Sequence, residues 1–100
     1  MFSFYLYYDV VGDNMKLNQE FVLREIAGDY ILIPIASADD VFNGVITLND
    51  TGAFIWKQIE DGKNIEDIVN ALQNEYEVTG EIAKRDIQKL CDNFKKLGIM

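Results

Sequence analysis

The sequence predicts an α+β fold in which a small three-stranded antiparallel sheet is followed by a three-helix bundle. Apolar and β-branched residues form short runs in the first half, separated by glycine, asparagine and aspartate. The second half carries apolar residues at helical spacing, with a capping residue before each run. At 100 residues, of which 49% are hydrophobic, the chain is long enough for one modest core.

The first two strands are predicted to form a hairpin. Residues 20–26 and 30–35 are strand-like and flank a loop at 27–29, where Gly28 supplies the positive φ that such loops often need. The second strand is apolar on both faces and is therefore predicted to be central. Proline cannot donate to the ladder, so Pro34 is predicted to lie at the end of this strand.

The third predicted strand covers residues 45–48. It follows a loop at 36–43, and Asn43-Gly44 is a turn signal directly before it. The strand is short and no further strand follows, so one of its edges is predicted to be open. An open edge is either an aggregation liability or a place where an extended peptide can bind.

Helical spacing and capping residues predict three helices in the second half. Side-chain oxygens of the caps can accept from the unpaired N–H groups of the first turn. The helices run over about residues 50–60, 65–76 and 80–97, with Asn49 or Asp50, Asn64 and Thr79 as caps. Ile99 and Met100 follow the terminating Gly98 and are predicted to fold back onto the core.

The third helix differs in charge from the rest of the chain. Residues 81–97 carry a net charge of +2, and the remaining residues carry −10. One interpretation is a solvated face whose cations favour the helix C-terminus. The other is a basic strip for an acidic peptide. The apolar stripe of this helix consists of Ala83, Ile87, Leu90, Phe94 and Leu97. One flank of the stripe carries Lys84, Gln88, Cys91 and Lys95 at helical spacing.

Residues 1–14 precede the predicted domain, which covers residues 15–100. This aromatic stretch has no basic n-region and no small-residue cleavage site, so it is not a signal peptide. It is interpreted as a non-native extension or as an extra strand, and the two are compatible, because a non-native tail this apolar would still pair with an edge. An extra strand would pair with an open sheet edge of its own or a second chain, the latter giving a homodimer. No run is long enough to span a membrane, and a cytoplasmic location is predicted.

Residue types needed for catalysis and metal binding are scarce. The chain has no histidine and one cysteine, Cys91, and it lacks a glycine-rich phosphate loop and spaced metal carboxylates. No set of acid, base and nucleophile can be assembled from the spacing. The sequence therefore predicts a protein that is not an enzyme and that has no catalytic residue, cofactor or metal site.

Three helices with a small sheet suggest a winged-helix-like domain, which leaves two functions open. One is DNA binding through the third helix, whose N-terminal half carries Lys84, Arg85, Gln88 and Lys89. The net charge of −8 opposes it, because neutralising phosphates supplies most of the affinity. The other is peptide binding, in which a peptide adds a strand to the open edge beside the third helix.

An ordered series of short segments resembles a known family. These are residues 21–26, 30–32, 48–53, 55–56, 61–62, 65–68, 86–87 and 97–99, with Leu72 and Tyr76 between them. They are similar to the PqqD family, the peptide chaperones of pyrroloquinoline quinone biosynthesis. More broadly, they resemble the RiPP recognition elements, which bind the precursors of ribosomally made, modified peptides. The resemblance covers about residues 17–99, and Pro34 departs from the aliphatic residue usual there.

The resemblance implies a winged-helix-like fold without catalysis. In similar domains the leader part of a precursor peptide binds as an antiparallel strand on the third strand, in the cleft beside the third helix. The domain then delivers the peptide to a modifying enzyme, often a radical SAM enzyme. Candidate contacts carried over by position are Asn43, Gly44, Val45, Ile46, Thr47 and Leu48 on the strand and Lys84, Ile87, Gln88, Cys91 and Lys95 on the helix. The choice of this helix flank over the one with Asp86 and Asn93 is an inference.

Overall fold

The computed structural model describes residue 17, residues 20–35 and residues 44–100. Within these residues, a sheet precedes a group of helices, which confirms the predicted α+β order. The elements are β1 (Phe21–Ile26), β2 (Asp29–Pro34), β3 (Ile46–Leu48), α1 (Asp50–Glu60), α2 (Ile65–Tyr76) and α3 (Gly80–Lys96). The predicted extension at residues 1–14 and the predicted loop at 36–43 lie outside the described residues.

The sheet is antiparallel, and β2 lies between β1 and β3, as its apolarity on both faces predicts. Pro34 is the last residue of β2 and lies opposite Phe21, in agreement with its predicted place at the strand end. The N–H of Ile35 donates to the carbonyl of Glu20 at 2.9 Å. Pairing of the two chain segments therefore continues one residue beyond the proline.

Four predicted strand boundaries were wrong by one residue. Glu20 and Ile35 were placed in strands, but β1 begins at Phe21 and β2 ends at Pro34. Asp29 was placed in the loop, but it begins β2 and pairs with Ile26. Ala27 and Gly28 alone make the turn, and both have positive φ, the geometry of a two-residue hairpin that matches the strand twist. Val45 was placed in the third strand, but it precedes β3 and is 62% exposed.

The predicted helix caps are confirmed. Each side chain accepts from the backbone N–H three residues on: Asn49 from Gly52 at 2.7 Å, Asn64 from Asp67 at 2.9 Å and Thr79 from Ile82 at 3.2 Å. Gly98, the predicted terminator of the third helix, has a φ of 78°. These caps fix where each helix begins, and so fix which side chains face the sheet.

The core lies between the sheet and the helices, and Trp56 of α1 is at its centre. Its ring packs edge-on against Phe21 of β1 at 6.0 Å and against Phe94 of α3 at 6.1 Å between centroids. Ile99 is fully buried and Met100 packs on the core, as predicted for the residues after α3. No helix among the described residues is long and apolar enough to cross a membrane.

Candidate functional site

A groove of about 340 Å³ opens between the β3–α1 corner and α3. We call it the β3–α3 groove. Its lining from β3 and α1 consists of Thr47, Leu48, Asn49, Thr51, Gly52 and Ile55, and its lining from α3 consists of Asp86, Lys89, Leu90 and Asn93. Leu48, Ile55 and Leu90 are buried, so the groove has an apolar base between polar walls.

The corner wall is formed where β3 passes into α1. Asn49 leaves the strand in an extended conformation, and its side chain caps the helix through the N–H of Gly52. Gly52 has no side chain to occupy this wall. A Cβ there would lie 3.1 Å from Asn49 Oδ1 and 3.5 Å from Leu48 Cβ, so the missing side chain lets the helix and strand approach closely.

The α3 wall follows from helical spacing. Asp86, Lys89, Leu90 and Asn93 lie at i, i+3, i+4 and i+7, which places them on one face of the helix. Burial of Ala83, Ile87 and Phe94 in the core holds that face beside the corner. Asp86 and Lys89 bring one negative and one positive charge to the groove, so its electrostatic character is mixed rather than basic.

The strand beside the groove has a free edge among the described residues. Ile46, Thr47 and Leu48 pair with β2 on one side, and no described strand pairs with β3 on the other. Unpaired N–H and C=O groups on a strand edge are a template for an added strand. The predicted open edge and a lined groove therefore lie next to each other.

The strand residues predicted as peptide contacts fall into three groups. Thr47 and Leu48 line the β3–α3 groove. Ile46, in β3, and Gly44 are half-buried, and Val45 is exposed. Asn43 lies outside the described residues.

The helix residues predicted as contacts do not line the groove. Lys84 and Lys95 are exposed elsewhere on α3, and Gln88 is half-buried, with Nε2 donating to Asp92 Oδ1 at 2.8 Å. Ile87 and Cys91 have no exposed surface at all. Their side chains build the core, so neither can touch a peptide in this arrangement. The sequence prediction chose the side of α3 that carries Lys84 and Lys95, whereas the groove lies on the side that carries Asp86 and Asn93.

Cys91 has the properties of a core residue. Burial, with a smaller contribution from Asp92, raises the pKa of its thiol to about 12, and Lys95 opposes the shift. The thiol is therefore neutral at physiological pH, and a neutral thiol is a poor nucleophile. Among the described residues no group of three potential ligands could hold a metal ion.

Sequence reasoning missed Asn49, Thr51, Gly52, Ile55, Lys89 and Leu90 as groove residues. It considered the flank with Asp86 and Asn93 but did not choose it. The signal was available in part, since the i, i+3, i+4, i+7 spacing on α3 can be read directly from the sequence. What the spacing does not give is the side of the stripe on which the β3–α1 corner lies.

Comparison with known proteins gives a family match and two similar structures. The family described as Coenzyme PQQ synthesis protein D (PqqD) matches residues 22–100. "Lasso peptide synthetase B1 complexed with the leader peptide" is 30% identical with a TM-score of 0.67, covering 84% of this chain and 93% of that one. "TbiB1 in Complex with the TbiA(beta) Leader Peptide" is 26% identical with a TM-score of 0.64, covering 82% and 92%. No curated protein sequence matches significantly.

Proposed function

The chain belongs to the PqqD family, and on that premise we propose that it is a non-catalytic adaptor for a ribosomally made precursor peptide. It binds the leader part of the precursor and presents the remainder to a modifying enzyme. The observation that carries the proposal is the free edge of β3 beside a groove walled by α3. Two similar proteins of the same fold, by their names, were solved as complexes with leader peptides.

The binding mode we propose is strand addition. A leader segment lies antiparallel to β3, and its backbone pairs with the free N–H and C=O groups of that edge. Side chains alternate along a strand, so every second leader residue points into the β3–α3 groove. Leu48, Ile55 and Leu90 favour an apolar leader side chain at that point. Backbone pairing supplies affinity, and the groove supplies selectivity.

For α3, we propose that the leader touches the groove-lining flank. Asp86, Lys89 and Asn93 replace Lys84, Gln88 and Lys95 as the helix contacts, because the former line the groove and the latter do not. Ile87 and Cys91 support the site from within the core. On the strand, residues 43–48 remain the proposed contact segment.

The partner enzyme and the cellular location belong to the same proposal. The adaptor acts in the cytoplasm, where precursor peptides are made, and hands the bound precursor to a modifying enzyme, with a radical SAM enzyme as one class. The alternative function, DNA binding, has no support in the family description or in the names of the two similar structures. The net charge of −8 also opposes it.

A nuclear magnetic resonance titration of the full chain tests the adaptor function. The probe is a synthetic leader peptide encoded by a short reading frame beside the gene for this chain, and a scrambled peptide is the control. We expect shifts at residues 46–48 and at Asp86, Lys89 and Asn93, with little change at Lys84 and Lys95. Shifts on adding duplex DNA, with none for the leader peptide, would replace the proposal with the DNA-binding alternative.

Pairing of the N-terminal strand with a sheet edge remains a prediction. If residues 2–8 occupied the free edge of β3, in one chain or by exchange in a homodimer, they would compete with the leader. Deleting residues 1–14 would then tighten leader binding and remove any dimer. Unchanged affinity and an unchanged oligomeric state would exclude this arrangement.

A further inference from the structure

The outer face of the sheet, which points away from the helices, carries several exposed aliphatic side chains. Side chains alternate along each strand, and the residues on the side opposite Phe21, Leu32 and Leu48 form this face. Its apolar members, which we call the aliphatic face, are Val22, Ile26, Ile31, Ile33, Ile35 and Val45, and its polar members are Arg24, Asp29 and Thr47. Ile26, Ile33, Ile35 and Val45 are 52%, 36%, 47% and 62% exposed.

These side chains are not part of the core. None of the six belongs to the buried cluster or to the partly buried residues that pack on it. Several of them are also neighbours. Val22 lies opposite Ile33 in the pairing of β1 with β2. If the pairing of β2 with β3 is continued by one residue, Val45 lies opposite Ile33. A contiguous apolar patch of this kind on a small domain marks a surface that contacts a partner or another segment of the chain.

The chain enters the sheet beside this patch. Leu17 packs on the core, and the carbonyl of Glu20 accepts from the N–H of Ile35 at 2.9 Å. These two contacts fix the path of the chain into β1 at the end of the sheet that holds Val22 and Ile35. Leu17 itself is on the core side of the sheet, so the residues that precede it are attached at one end of the sheet, within reach of the aliphatic face around that end.

The preceding segment has the length and the composition to cover the face. Sixteen residues precede Leu17 and can span roughly 50 Å when extended. A six-residue strand is only about 20 Å long. In residues 2–11, every residue except Ser3 and Asp9 is aromatic or aliphatic. Exposing such a segment to water is costly, and the nearest apolar surface is the one beside its attachment point.

We propose that residues 2–11 pack across the aliphatic face of their own chain. The other placements for these residues are the edges of β1 and β3 that no described strand pairs with. The edge of β3 offers a strand of only three residues and lies farthest from β1, where the segment is attached. Pairing with either edge would also leave the aliphatic face in contact with water, which packing on that face avoids. Packing on the aliphatic face leaves the β3–α3 groove open. The N-terminal segment therefore stabilises the domain and does not compete with a peptide.

Contacts measured in the full chain test this placement. We expect nuclear Overhauser contacts between aromatic protons of residues 2–8 and the methyl groups of Ile31, Ile33 and Ile35. A mixed sample of labelled and unlabelled chains separates contacts within a chain from contacts between two chains. Contacts only between chains, backbone contacts of residues 2–8 with residues 21–26 or 46–48 instead, or contacts of Phe42 alone with these methyl groups each overturn the proposal.

A double-mutant cycle in the full chain gives an independent test. The polar variant replaces Phe2, Phe4, Leu6 and Tyr8 with serine. We expect Ile33→Thr to lower the urea midpoint of the otherwise unchanged chain and to have little effect in the polar variant. Leu97→Thr is the matched control, since Leu97 is 39% exposed and lies outside the sheet. Equal effects of Ile33→Thr in both backgrounds overturn the proposal.

Leader affinity separates this proposal from the proposed function. If both hold, the polar variant binds the leader peptide as tightly as the unchanged chain does. Tighter binding by the polar variant places the segment at the groove and overturns the aliphatic-face proposal. If neither the unchanged chain nor the polar variant binds a leader peptide, the adaptor function is contradicted. The nuclear Overhauser contacts and the double-mutant cycle then test the placement of residues 2–11 without it.

Discussion

The two flanks of α3 look alike in sequence and differ in their surroundings. Asp86, Lys89 and Asn93 line the β3–α3 groove, whereas Lys84 and Lys95 lie on the other flank, away from the groove. Both flanks border the same apolar stripe, and both mix charged and amide side chains. The first flank faces the capped first turn of α1, which forms the opposite wall of the groove. The neighbour of a helix, rather than its own pattern, decides which flank becomes a site.

Ile87 lies between the two flanks of α3, and its replacement is expected to have the largest effect on stability or binding. Ile87→Ala removes a fully buried side chain and should lower the free energy of unfolding by about 2–5 kcal/mol. Urea denaturation followed by fluorescence of Trp56, which is buried in the core, measures this change. Lys84→Ala is the exposed control on the same helix. Lost leader binding with stability unchanged would show that Ile87 is a contact after all.

Cys91 should give the next largest effect, as a difference in labelling. Its thiol is buried and its pKa is raised to about 12, so the reactive thiolate forms only at strongly alkaline pH. At about pH 8, a disulfide reagent should modify the native chain at least ~100-fold more slowly than the urea-unfolded chain. Lys95→Cys in a Cys91→Ala chain is the exposed control and should react at the rate of a free thiol. Equal labelling rates for Cys91 in the native and unfolded chains would show that its thiol is exposed in the native chain.

Filling the groove should have a smaller effect, confined to one flank. Asn93→Trp puts a large ring into the groove and should weaken leader binding at least about tenfold, or roughly 1.4 kcal/mol. Lys95→Trp, two residues on and on the other flank, should leave the affinity unchanged. Isothermal titration calorimetry with the leader peptide measures both. Equal losses for the two variants would show that the leader contacts both flanks.

Removing charge from the flank away from the groove should have the smallest effect. Lys84→Ala and Lys95→Ala should each change leader affinity by less than about twofold, or roughly 0.4 kcal/mol, because exposed charges are screened. Titrations at low and high salt give the comparison, with Lys89→Ala as the groove-lining counterpart. A tenfold loss for Lys84→Ala or Lys95→Ala would support the helix contacts predicted from sequence.

The fold could be predicted from sequence further than the site could. Caps such as Asn64 and Thr79 act within three residues, so local chemistry sets the helix boundaries. Pro34 lacks an N–H, so its place at a strand end was predictable as well. The groove depends instead on how α1 and α3 cross, which core packing decides over long sequence separations. No pattern within α3 records that crossing, so Asp86 and Asn93 could be considered but not selected.

The cap of α1 has a consequence for how this domain can acquire new partners. Asn49 and Gly52 start the helix and also line the groove, so a change there alters folding together with recognition. Asp86, Lys89 and Asn93 take no part in the buried core. Variation in recognition is therefore concentrated on α3, and the β3–α1 corner stays fixed. An engineer who wishes to redirect this adaptor to a different peptide should exchange three side chains on α3 and leave the corner unchanged.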